Sequence, residues 1–176
     1  MIRAKSLSCG VERIEVVLRS IMQNYIHTIK EIAEKVGCQS VKKIAAHTGV
    51  LAVYRVTVYY LDMRAADSVA TLARHSGNVA TLETIYRGHF GNKPLVRQMD
   101  LSDYDLFAQA FRPSIFDTLP DQPDIPSYGV ALCLIERGAG SFSKGIITTT
   151  QTTTEKYTEL LDTIRNYMPE ALREIK

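Results

Sequence analysis

The sequence predicts an α+β fold: a mainly antiparallel sheet with a long N-terminal helix and a C-terminal helix packed on one face. Three observations carry this reading. Apolar residues recur at helical spacing from Val11 to Val36, a β-branched and aromatic run fills Val50 to Asp62, and a second helical stripe follows Thr152. At 176 residues the chain has the size of one domain, taken as residues 1–176, and 45% apolar with 23% charged residues is an ordinary globular composition.

The first helix is marked at both ends. Its apolar positions are 11, 14, 18, 21, 25, 29, 32 and 36, Ser8 is a plausible N-cap, and Gly37 can take the left-handed conformation after the last turn. A helix over 11–36 is about 39 Å long at ~1.5 Å per residue, so part of its face is expected to project and to serve homo-oligomer formation. Residues 39–47 read as a short helix closed by Thr48-Gly49. In the strand that follows both faces are apolar, and Arg55 and Thr57 interrupt the second face.

The stretch Ser68 to Phe90 fits a hairpin about Ser76-Gly77-Asn78, with two short helices as the alternative. Thr71, Thr81 and Thr84 favour the hairpin. Asp100 or Ser102 caps a helix over 102–119 carrying Leu106, Phe107, Ala110 and Phe111, which Pro113 breaks before Ile115, Phe116 and Leu119. Pro120 to Gly129 holds three prolines and reads as a loop. Val130–Glu136 and Ser141–Thr149 form a second hairpin, with Gly138 and Gly140 supplying the turn. The last helix, 154–175, opens on a Thr152/Glu155 capping box, buries Tyr157, Leu160, Leu161, Ile164, Met168 and Leu172, and bends at Pro169. The sheet is thus expected from 50–61, 68–99 and 130–149.

Charge and cysteine usage exclude several classes. With 21 basic and 19 acidic residues the net charge is +2, too weak a field to announce nucleic acid or an anionic membrane, although a local basic patch is compatible with it. No apolar run approaches the ~20 residues of a membrane span. The opening MIRAKSLSCGVERIEVVLRS is broken by polar residues before a signal-like core can form. Cys9, Cys38 and Cys133 are odd in number and lack a CxxC pair, so neither disulfides nor a zinc site is indicated. A soluble, cytoplasmic protein without membrane association, metal or cofactor is expected.

Two segments resemble DNA-binding motifs. Thr28 to Gly49, TIKEIAEKVGCQSVKKIAAHTG, resembles the opening of a bacterial repressor helix-turn-helix through Ala33 and Gly37. Its second helix places Lys43 where an apolar residue belongs and Ile44 one position late. Leu72 to Lys93, LARHSGNVATLETIYRGHFGNK, is similar to the DNA-binding segment of tetracycline-repressor-type regulators in IYR, HF and GNK. It departs by an extra residue after Gly77, two more before Thr84, and Gly88 splitting Tyr-Arg-His-Phe, and it lies mid-chain behind a strand.

No catalytic group is assigned. His27 and His47 lack metal-ligand spacing, GAGSFSKG departs from the phosphate-loop order, Cys133 sits in an apolar strand, and Asp100, Asp103 and Asp105 suit a helix start. The candidate ligand-binding residues are Arg74 and His75 at one turn, Tyr86, Arg87 and His89 in an aromatic-basic cluster, and Glu136. The leading expectation is a non-enzymatic binding or interaction protein, self-associating through its N-terminal helix or an open sheet edge. The first alternative is a small-molecule-binding domain or enzyme with a pocket near the sheet, for which convergence of Arg87, His89 and Glu136 would speak. The second is a DNA-binding regulator with a degenerate helix-turn-helix, and nucleic acid is the least expected partner.

Overall fold

The computed structural model describes residues 22–120, 131–152 and 154–173. Its centre is a six-stranded antiparallel sheet in the order β4-β3-β2-β1-β5-β6. The strands are β1 (Val50–Tyr60), β2 (Ser68–His75), β3 (Val79–Tyr86), β4 (Leu95–Met99), β5 (Ala131–Ala139) and β6 (Phe142–Thr149). The helices are α1 (residues 22–35), α2 (Val41–Ala45), α3 (Leu101–Ala110), α4 (Pro113–Phe116) and α5 (Glu155–Tyr167). The chain is therefore α+β, as its patterns predict. The start of the first helix with its Ser8 cap, and residues 121–130 of the proline loop, lie outside the described residues.

β1 is central because both of its faces are buried. Tyr54, Val56, Val58 and Tyr60 point to the larger core, where Phe107, Phe111, Phe116 and the stripe Tyr157, Leu160, Leu161 and Ile164 cover them. On the opposite face Ile26, Ile29 and Ile32 of α1, with Val36 just beyond its end, pack on Val69, Ile85, Leu132, Leu134 and Ile147. α2 covers Val53 through Val41 and Ala45. The helices therefore divide between the two faces and do not share one, since a strand apolar on both sides leaves a large area wet unless a layer lies on each. The chain reaches the second half of the sheet by crossing from edge strand β4 over the larger core through α3 and α4 to β5, beside β1.

Several local expectations change in detail. Residues 68–86 form the β2–β3 hairpin, so the segment similar to a repressor is sheet, and α2, with five residues, is a packing element rather than a recognition helix. The turn between β5 and β6 uses Gly140 in the left-handed region (φ 56°), whereas Gly138 lies inside β5 against α2. α5 starts after Thr154, which makes no side-chain capping bond, so the N-cap position is two residues later than the Thr152/Glu155 box expects. Thr152 Oγ1 instead accepts from the Thr154 amide at 3.3 Å, and the helix ends at Tyr167. The next residues fold back over the sheet, burying Met168, Ala171 and Leu172, and Ser68 Oγ donates to the Ala171 carbonyl at 2.8 Å.

Candidate functional site

The six residues singled out from sequence are spread over three places. Arg74 and His75 lie at the end of β2 next to the Ser76–Asn78 turn, where Arg74 Nη1 donates to the His75 carbonyl (2.8 Å), Nη2 donates to Asn78 Oδ1 (3.1 Å), and the guanidinium lies 5.6 Å from the Tyr104 ring. Each end of the Arg74 fork is thus used to close the turn.

Tyr86, Arg87 and His89 lie at the opposite end of the sheet. With Met63, Arg64, Phe90, Leu95 and Arg173 they line a cleft of about 970 Å³ between the β1–β2 and β3–β4 loops. Its arginines are already engaged. Arg64 pairs with Asp62 at 2.7 Å, Arg87 with Asp67 at 3.1 Å, and Arg173 stacks 4.4 Å over Tyr86 while donating to the Ala66 carbonyl. Tyr86 Oη donates to the Glu170 carbonyl at 3.0 Å.

Glu136 belongs to neither group. It sits in β5 on the face covered by α1 and α2, directly opposite Arg55 of β1. The registers of the sheet line up one row on this face: Val96, Glu83, Thr71, Arg55, Glu136, Gly145, running from β4 to β6. Arg87 and His89 therefore do not converge with Glu136.

Arg55 is the unusual member of the row. It is only 2% exposed, yet its one hydrogen bond among the described residues runs from Nε–H to Thr71 Oγ1 at 3.0 Å. Glu136 does not close a contact ion pair with it, so the Nη1 and Nη2 groups have no acceptor among the described residues. A guanidinium removed from water costs several kcal/mol unless its charge and donors are met. Here the Glu136 carboxylate offsets the charge at a distance, and the Nη groups are not among the fully enclosed side-chain atoms without a partner, so they are reached from the cleft that Arg55 lines.

These donors belong to a cleft of about 840 Å³ between the end of α1, α2 and the sheet. Lys30, Lys42, Lys43 and Arg55 line it against Glu34 and Glu136, an excess of two positive charges. Burial pushes the Glu136 carboxyl above its ordinary range, and the Arg55 charge works the other way. Burial likewise raises the Cys38 thiol, Arg55 lowers it, and Glu83 and Glu136 raise it further. Cys38 is thus held as a thiol, which disfavours it as a nucleophile. Cys133, wholly inside the larger core, is pushed up to about 12 by burial.

Arg55 and Cys38 are absent from the sequence-derived candidates. The available signal was parity: Arg55 and Glu136 each interrupt an otherwise apolar strand, on the same alternating face. Pairing them required the β1–β5 register, which joins residues some eighty positions apart. Among the described residues no group of three or more His, Cys, Asp or Glu side chains is placed to hold a metal ion. No protein-family model matches the chain, and no curated protein matches it.

Proposed function

We propose that the protein binds a small anionic molecule in the cleft at Arg55. The observation that carries this reading is the buried Arg55 side chain, whose Nη1–Nη2 edge has no acceptor among the described residues and lines the cleft. Two charge-assisted hydrogen bonds to a ligand anion contribute about 1.5–3 kcal/mol each. Lys30, Lys42 and Lys43 draw anions toward the mouth. The loop-end cleft is larger, but its arginines have protein partners and would have to exchange them for a ligand.

This reading places the chain among binding proteins and assigns no reaction. Both cysteines in the described residues, Cys38 and Cys133, are free thiols, which fits a reducing, cytoplasmic setting. No helix of the described residues is long and apolar enough to cross a membrane. Self-association is a separate matter: the described part of α1 spends its apolar face on its own sheet, which leaves the edges of β4 and β6 as the places for a second copy to pair.

A thermal-shift panel of carboxylates, inorganic phosphate and sulfate tests the assignment. At least one anion raises the Tm of the wild type in a concentration-dependent way and leaves that of Arg55→Met unchanged. An equal rise in the variant, or none in the wild type across the panel, defeats it.

A further inference from the structure

The way Arg55 is held and the charges around it say together which anion suits the cleft. With Nε engaged by Thr71, the guanidinium offers its end-on edge, two parallel N–H groups in one plane. That edge matches two oxygens of a carboxylate and equally two of a phosphate or sulfate. Charge decides between them. Glu136 stands directly across from Arg55, the one buried cation of the cleft, while Lys30, Lys42 and Lys43 are exposed at its mouth and screened by solvent, so the second charge of a dianion meets the Glu136 carboxylate with no second buried cation to balance it. A monoanion balances Arg55 alone.

Even a monoanion must settle beside Glu136. The groups facing Glu136 are Arg55 from β1, Lys30, Glu34 and Cys38 from α1 and the turn after it, and Lys42 and Lys43 from α2, while β6 contributes only Gly145. Of these cations only Arg55 is buried. It is therefore the main favourable charge for an ionised Glu136, and a ligand anion on Arg55 cancels that support. We propose that the ligand is a monocarboxylate that binds together with one proton, taken from solvent onto Glu136, which then donates a hydrogen bond toward the ligand instead of repelling it. This rests on the reading of Arg55 as the anion anchor.

The linkage has a defined sign. Binding favours protonated Glu136, so affinity is greatest at low pH. It falls about tenfold per pH unit as pH rises through the interval between the Glu136 titration in the free protein and that in the complex. Burial, which already lifts the free carboxyl, sets the lower end of that interval above the ordinary glutamate range.

Trifluoroacetate is a suitable probe because it stays ionised from about pH 4 to about pH 8, where glutamate and histidine titrate. Sulfate serves as the dianion control. Affinities of wild-type protein, Glu136→Gln and Arg55→Met are measured by fluorine NMR for trifluoroacetate and by its displacement for sulfate. The wild type binds trifluoroacetate with the stated fall as pH rises and prefers it to sulfate. Glu136→Gln, which keeps a neutral side chain throughout, binds it at every pH as tightly as the wild type does at low pH. Trifluoroacetate affinity independent of pH, or sulfate bound more tightly, overturns the proton-coupled monocarboxylate. Absence of any trifluoroacetate or sulfate binding, or equal binding by Arg55→Met, removes the anchor itself and the proposal with it.

Discussion

Met63 and Phe90 pay twice for their positions. Both have backbones in the left-handed region, at φ 55° and 52°, which a side chain with a Cβ adopts at a cost, and they expose 87% and 67% of their surface. Replacing Met63 by Asn, which tolerates that conformation through local hydrogen bonding, forfeits little packing and is expected to stabilise the protein by about 0.5–1 kcal/mol in urea melts. At Glu136 the expected effect depends on pH. A carboxyl whose folded titration is raised favours the folded state when protonated, so its contribution is intact below the unfolded glutamate value and is lost as pH rises through the folded one. Glu136→Gln removes that loss. Its stability relative to wild type should therefore increase across this window and level off above it, as followed by denaturant midpoints at a series of pH values. The lowered titrations of Glu31 and Glu170 have the opposite sign and cancel in the comparison.

The layer formed by α1 and α2 depends on how closely α2 can approach the sheet. Gly138 permits that approach: a Cβ there would lie 2.7 Å from Val41 Cγ1, 3.1 Å from Ala45 Cβ and 3.3 Å from the Val41 carbonyl. Two of these atoms belong to short, stiff side chains and the third is backbone, so they cannot swing aside. Gly138→Ala is expected to cost about 1–3 kcal/mol by overpacking. Because α2 also walls the Arg55 cleft, the variant should bind anions more weakly as well as melt earlier, which thermal shifts with and without trifluoroacetate would show. The sequence marked Gly138 as a turn residue, because two glycines one residue apart near the junction of two strands read as a hairpin turn. Only the packing of a helix from elsewhere in the chain gives it a different use. Ser40, by contrast, was within local reach, and its side chain accepts the Lys43 amide at the start of α2.

At the scale of the molecule, both helical layers pack on the same sheet, and β1 carries residues of every core on its two faces. Neither layer can leave without exposing that strand. Unfolding by denaturant should accordingly be a single transition, with far-ultraviolet dichroism and tyrosine fluorescence coinciding. An earlier dichroism phase would show that α1 and α2 detach on their own. Local pattern by itself determined the α+β class, the existence of β1, the β5–β6 hairpin and the apolar stripe of α5, because alternation, helical spacing and turn chemistry are encoded within a few residues. For 68–86 it favoured a hairpin but left two short helices open, and the strand pairing decided it. The pattern also marked β1 as apolar on both faces, yet it set the two terminal helices on one face. Tertiary structure alone decided that α1 and α5 lie on opposite sides, that Arg87 and His89 are separated from Glu136, and that Arg55 faces Glu136 in a cleft. Those facts follow from strand order and register, and a register shift of one residue would turn Arg55 to the opposite face of the sheet while leaving its local sequence unchanged.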